Sequence, residues 1–312
     1  TKARIDEAMA ELGFTPNALA RGLASRRSRT LALIYPAMES GVGGTVAEFV
    51  RSASGAARLA GYHLVLWPFA AHEAEEIRDL VQQGMADGVL LMEVCLKDAR
   101  VDALHAAGVP FTMIGRTEDV EGLTYVDIDF TRTTDEAVAH LVALGHERIG
   151  FLNHSAESHD NGYAPTLRAE AGYRAAMRSR GLTPHDVLSH ESPAAGRLAV
   201  GRLLQADPGM TAVITMNEMA TFGAMVELGA RGLSIPDDVS VLSIVTSPGV
   251  GAMSNPPLTT MHAPGAALGR LGVQALLGLV EGTATSPTPE LLPCWLEPGA
   301  STAPARPRPT VG

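Results

Sequence analysis

From residue 31 onward, two hydrophobic patterns take turns along the chain. Short apolar runs rich in branched residues predict buried strands over 31–35, 63–67, 88–92, 111–114 and 125–128. Between and after them the apolar spacing turns helical, over 46–60, 73–83, 99–107 and 131–144. A second round follows, with strands over 149–152, 212–215, 240–245 and 259–262 and helices over 168–180, 195–205, 218–231 and 266–280. Strands that are apolar on both faces and separated by helices belong in a parallel sheet covered on both sides. The expected fold is therefore α/β, with two Rossmann-like subdomains in tandem and a cleft between them. Ligands in such sheets sit beyond the carboxyl ends of the strands.

The first 30 residues differ. Ile5, Ala8, Met9 and Leu12 share one face of a helix expected over 1–12, which Gly13 is placed to end. Pro16 then suits a first helical turn, and Ala18, Leu19, Ala20, Leu23 and Ala24 continue a helical pattern among Arg21, Arg26, Arg27 and Arg29. So short a helix is marginal alone and needs a partner. It reads either as a DNA-contacting element or as an ordinary helix with a basic linker.

Composition sharpens that choice. The chain has 312 residues, 46% hydrophobic and 19% charged, enough for two core-forming domains. Its net charge of −10 argues against the body as a nucleic-acid binder. Residues 1–30 hold six cations and three anions, so this end carries +3 and the remainder −13. That asymmetry favours an N-terminal contact with a polyanion. Cys95 and Cys294 read as reduced thiols in a cytoplasmic protein. No signal peptide or long apolar span is evident, so neither secretion nor a membrane partner is expected.

Motifs for catalysis are missing. Gly41-Val42-Gly43-Gly44 lacks the last glycine of a dinucleotide loop, because Val46 stands there. Neither a Walker loop nor a zinc-protease motif nor a nucleophile elbow occurs, so no catalytic residue and no cofactor is expected. His154, His159 and Asp160 cluster in sequence, but their spacing matches no strong metal pattern, and a solvated loop is the expectation. Cys95 closes a strand, where a structural thiol is expected.

Taken in order, several short segments resemble lactose-repressor-type (LacI family) transcription regulators. Gly13-Phe14, Pro16-Asn17, Ala20-Arg21 and Leu23-Ala24-Ser25, leading into a strand that ends at Pro36, resemble the family's hinge. His140-Leu141, Leu144-Gly145-His146 and Arg148-Ile149 follow, then Gly172-Tyr173-Arg174-Ala175-Ala176. Arg231-Gly232-Leu233, Pro236, Asp238-Val239-Ser240 and Pro257-Leu258-Thr259-Thr260 complete the series. The resemblance implies a homodimer whose hinge helices contact operator DNA through Asn17, Ala20, Arg21, Leu23 and Arg26, with Leu23 wedged into the minor groove. It implies a small polar effector in the cleft, of sugar-like type, that controls DNA binding allosterically. The headpiece before residue 1 is expected to be missing, so only the full-length protein would recognise an operator.

The expected division is a headpiece and hinge remnant over 1–29, subdomains over 30–128 and 129–302 with strands crossing near 289, and a disordered tail over 303–312. Candidate effector contacts are Glu39 and Ser40 in the glycine-rich loop after the first strand, and Trp67 after the second, either stacked on a sugar or part of the core. Asp129 resembles the aspartate of a V-x-V-D segment and equally suits a helix cap. Arg168 resembles an effector-clamping arginine but lies four residues before Gly172, where the family has three. Asn217 matches an N-D step, with Glu218 in place of aspartate, and His262 stands where a polar side chain faces the cleft. Val245 replaces an aspartate that commonly holds effector hydroxyls, which puts that contact in doubt. A solute-binding protein of the same fold and an enzyme using the cleft remain the alternatives.

Overall fold

A computed structural model describes residues 27–35, 44–68, 74–284 and 289–306. The hinge candidates Asn17, Ala20, Arg21, Leu23 and Arg26, the loop candidates Glu39 and Ser40, and residues 307–312 lie outside the described residues.

The first half opens with β1 (Thr30–Ile34), α1 (Gly44–Leu59), β2 (His63–Trp67), α2 (Ala74–Gln82), β3 (Gly88–Leu91), α3 (Ala99–Ala106), β4 (Phe111–Ile114) and β5 (Tyr125–Ile128). The second continues through α4 (Phe130–Ala143), β6 (Ile149–Asn153), α5 (Ala156–Asp160), α6 (Ala164–Ser179) and β7 (His185–Leu188). Then come α7 (Pro193–Ala206), β8 (Ala212–Thr215), α8 (Glu218–Ala230), β9 (Ser240–Ile244), α9 (Pro248–Gly251) and β10 (Thr259–His262). The chain closes with α10 (Gly265–Val280), β11 (Pro289–Leu292) and β12 (Trp295–Glu297).

Two six-stranded sheets result, in the orders β11-β5-β4-β3-β1-β2 and β12-β10-β9-β8-β6-β7. All pairings are parallel except β10 with β12. The central strands β3, β4, β5, β8 and β9 are buried at every position, as double-sided coverage requires. Each fully buried aliphatic side chain there contributes about 1.5–3 kcal/mol relative to exposure. Helices approach closely where side chains are missing. A Cβ on Gly196 of α7 would strike the Ala220 carbonyl of α8, and one on Gly223 would strike that of Pro193.

The chain crosses between halves three times. One crossing falls at Asp129 and one just past 289, between β11 and β12, near the expected positions. The other, not expected, falls between β10 and α10, because α10 packs on α1 and on β3, β4 and β5 of the first half. Gly269 and Gly272 permit this: a Cβ on Gly269 would lie 2.5 Å from the Phe49 carbonyl oxygen, and one on Gly272 would lie 3.1 Å from Leu90. β11 extends the first sheet beside β5, and β12 returns to the second. Residues 129–302 are thus not one contiguous subdomain.

The tail expectation needs a second correction. Residues 303–306 are fixed to the second half: the Ala303 carbonyl meets His146 Nε2 at 3.0 Å, and the Ala305 N–H donates to the Leu144 carbonyl at 2.8 Å. Arg306 pairs with Asp237 at 2.8 Å. The Leu144-Gly145-His146 segment is the anchor. His146 is buried, its Nδ1 lies 2.9 Å from Thr211 Oγ1, and burial holds its pKa below the ordinary 6.5.

Candidate functional site

Where the carboxyl ends of both sheets meet, a cavity of about 430 Å³ opens between the halves. Phe49, Phe130, Phe222, Met92, Met216 and Leu268 make much of its wall apolar. Glu93, Asp127, His154, Glu191, Asn217 and Glu218 add polar groups.

The first half supplies Glu93, two residues past the end of β3. Its φ of 54° is left-handed, an uncommon conformation for a residue with a Cβ. A buried ion pair underneath holds it there. Asp98 caps α3 and pairs with Arg100 at 2.7 Å, both side chains being fully buried. Arg100 Nη2 then donates to the Glu93 carbonyl at 2.9 Å, and Asp98 accepts from the Cys95 N–H at 3.1 Å. The loop beyond Glu93 pairs with the second half: the Leu96 N–H donates to the Gly162 carbonyl, and the Ala164 N–H to that of Val94. This seam brings the Tyr163 hydroxyl into hydrogen-bond contact with the Glu93 carboxylate. Burial is the largest influence on Glu93 and raises its pKa, with Tyr163 and His154 opposing and Glu191 adding to the rise.

The second half supplies His154, just past β6, and Glu191, just before α7. Their side chains meet at 3.1 Å. His154 also stands edge-on to Tyr163, with ring centroids 5.7 Å apart. Tyr35, at the end of β1, is buried beside these groups, and burial together with Glu93 and Glu191 raises its pKa. At the opposite side the halves are latched. Thr45, in the first turn of α1, donates to Glu218 Oε1 at 2.5 Å and accepts from the Ser247 N–H at 3.0 Å. A Cβ on Gly44 would lie 2.6 Å from Val250, so this approach depends on glycine.

Of the candidates read from the sequence, Asn217 and Val245 lie on the cavity wall. Asn217 is also the cap of α8: its Oδ1 accepts from the Ala220 N–H at 3.0 Å, and its Nδ2 donates to the Ser189 carbonyl at 3.3 Å. Val245 has φ 56° and packs against the core.

Four other candidates lie off the wall. Trp67 packs on the first half's core, because β2 is the edge strand farthest from the crossings. Asp129 caps α4, accepting from the Arg132 N–H at 3.0 Å. Arg168 clamps protein rather than ligand: it donates to the carbonyls of Arg116 and Thr117 at 2.8 and 2.9 Å and stands 3.5 Å from Asp127. His262 meets Glu48 of α1 at 3.3 Å and lies against Trp295, with ring centroids 4.3 Å apart.

At this strand end the carboxylate on the wall is Asp127, two residues before the one expected. Burial raises its pKa to about 6, against the pull of Arg116 at 3.2 Å and of Arg168. Sequence reasoning missed Glu93 and His154, although both immediately follow strand ends, where ligands of such sheets bind. The residues 154–160 do not form one loop either. Ala156–Asp160 is α5, and His154 turns to the cavity while His159 pairs with Glu170 at 3.3 Å. Among the described residues no cluster of three metal-ligating side chains exists, and no helix is long and apolar enough to cross a membrane. Both cysteines are free, and Cys294 is buried with its thiol pushed up to about 12.

Comparison with known proteins supplies the family. Residues 138–302 match the model of a periplasmic binding protein-like domain. The chain is 29% identical to the HTH-type transcriptional regulator AglR of Rhizobium meliloti (strain 1021), covering 100% of this chain and 90% of that one. Among solved structures it resembles a transcriptional regulator CelR–cellobiose complex, with a TM-score of 0.80, 26% identity, and 95% and 89% of the two chains covered. It also resembles a LacI-family regulatory protein from Chloroflexus aggregans, with a TM-score of 0.79, 28% identity, and 88% and 98% covered. These relatives are regulators, not enzymes. The chain belongs to the LacI family of transcription regulators.

Proposed function

We propose that the cavity between the halves takes a small polar effector, a sugar or sugar derivative, and that its occupancy controls operator binding by a homodimer in the cytoplasm. The observation that carries this reading is the latched cavity itself. It is walled by both sheets, and Thr45, Glu218 and Ser247 join the halves beside it. A ligand that prefers one relative angle of the halves shifts that equilibrium by its differential affinity. The relative crystallised with cellobiose supports a sugar as effector class. Asn217, Glu93 and Glu191 are the proposed polar contacts, with Val245 against the effector's apolar face.

A second copy fits the exposed apolar positions. Val65 and Leu66 on edge strand β2 are 39% and 45% exposed, and Leu198 and Val226, on α7 and α8, are 71% and 58% exposed. The hinge residues Asn17, Ala20, Arg21, Leu23 and Arg26 are the proposed DNA contacts of the full-length dimer, supported by the positive charge of residues 1–30.

A thermal-shift panel of neutral, acidic, phosphorylated and aminated sugars tests the reading. An effector at a hundredfold above its Kd stabilises by about 2.7 kcal/mol, a clear rise in Tm. Failure of all four classes to shift the protein would refute the sugar reading. Sedimentation should report a dimer.

A further inference from the structure

Resting on the effector reading above, we propose that the effector is an amino sugar whose protonated amine sits between Glu93 and Glu191, with its ring against Phe49, Phe130 and Met216. The two carboxylates come from opposite halves, line the same cavity, and lie near enough that the Glu191 charge acts on Glu93. Among the described wall residues there is no lysine or arginine. The nearby guanidiniums are committed elsewhere: Arg100 to Asp98 and the Glu93 carbonyl, Arg116 and Arg168 to Asp127 and backbone carbonyls. His154, at 3.1 Å from Glu191, already gives one of the two carboxylates a hydrogen-bond partner. Glu93 then faces an apolar cavity with the neutral Tyr163 hydroxyl as its contact.

Closing the halves over a neutral sugar would strip water from that carboxylate without replacing the lost charge, which is costly. An ammonium supplies both the charge and three donors, and charge-assisted hydrogen bonds are about twice as strong as neutral ones. An anionic sugar would bring further acceptors to a wall that is already acceptor-rich.

The proposal also sets a pH dependence. The groups facing Glu93 are Tyr163, His154, Glu191, Tyr35 and, behind it, Arg100. Burial raises the Glu93 pKa, so acidification neutralises it before an ordinary glutamate. That change opposes an ammonium, and preference for the amine falls as pH falls.

Calorimetric titration of the purified chain with a β-1,4-linked glucosamine disaccharide and with cellobiose, its neutral counterpart of the same size, tests this. The aminated probe is expected to bind roughly tenfold or more tightly at pH 7. Glu93→Gln and Glu191→Gln should each collapse that ratio, and near-UV circular dichroism checks that both variants keep the native packing. Cellobiose binding as tightly as the amine, or an unchanged ratio in a folded Glu93→Gln protein, overturns the proposal and leaves the sugar-effector reading intact. Binding by neither probe overturns the proposal, while a shift by another sugar in the wider panel would still uphold the broader reading.

Discussion

Glu93 and Val245 lie at strand ends in different halves, past the non-equivalent strands β3 and β9. Each follows a buried strand at its carboxyl end, each turns left-handed, at φ 54° and 56°, and each lies on the cavity wall. A side chain in that conformation costs about 1–3 kcal/mol unless the surroundings enforce it. In the first half the enforcement is electrostatic: Arg100, neutralised by Asp98, holds the Glu93 carbonyl. In the second it is packing, with Val245 against the core and its backbone hydrogen-bonded to the buried Cys294 thiol. A charge-held turn can present a carboxylate to a ligand; a packing-held turn presents a methyl surface. The two left-handed turns thus present different surfaces to the same cavity, a carboxylate at one and an apolar side chain at the other.

Breaking the first turn should have the largest effect. Arg100→Met leaves Asp98 buried without its partner, and the expected loss is about 3–5 kcal/mol in urea unfolding. Replacing both partners, Arg100→Met with Asp98→Asn, should recover part of that loss, because the cost lies in the unpaired charge. A double variant no more stable than Arg100→Met alone would contradict the charge-held account.

The latch that joins the two walls comes next. Thr45→Val removes a hydrogen bond to a carboxylate and one from the Ser247 N–H. About 1.5–3 kcal/mol of closed-state preference should disappear, seen as a larger radius of gyration in small-angle scattering. An unchanged radius would show that the latch does not set the angle between the halves.

A smaller effect distinguishes the second half alone. Burial lowers the pKa of both His140 and His146. A histidine depressed in the folded state binds its proton more readily when unfolded, so stability is lost as pH falls below about 6.5 toward the lower folded value. His146→Leu removes one such group but takes away the Thr211 hydroxyl's ring partner and one of the two donors to the Ala303 carbonyl, costing about 1–3 kcal/mol at pH 7. Its stability should then decline less between pH 7 and 5 than that of the parent, measured by thermal unfolding.

The smallest effect belongs to Val245→Gly. Relief of left-handed strain offsets part of the lost packing, so the net change should stay within about 1 kcal/mol. A loss above 3 kcal/mol would mean that the valine side chain, rather than the backbone, is what the fold requires there.

Much of this architecture was legible because parallel strands write themselves as continuous apolar runs. β4, β5, β8 and β10 fall where the pattern puts them. β7, β11 and β12 escaped because they lie at sheet edges and are little buried, so His185, Asp186, Glu290 and Glu297 interrupt the signal. The destination of α10 escaped for another reason: an apolar stripe says that a helix packs, not on which sheet. At the site, Asn217 was legible from its place after a strand and before a helix. Arg168 was identifiable as a polar anchor, but its partners, the Arg116 and Thr117 carbonyls, carry no side-chain signature in sequence. Glu93 was hidden because nothing in a glutamate announces a left-handed backbone.

The three crossings carry a consequence for how the molecule is made. The first sheet holds β11, and its face is covered by α10, both drawn from the last fifth of the chain. The half that a ribosome synthesises first therefore cannot close until nearly the whole polypeptide has emerged. Domains that begin early but finish late leave apolar surface waiting for its partner strand, the condition under which aggregation competes with folding. A chain ended before residue 265 would lack a helix and a strand of its first half and only β12 of the sheet in its second, so nonsense variants near the carboxyl end should damage the amino-terminal half most.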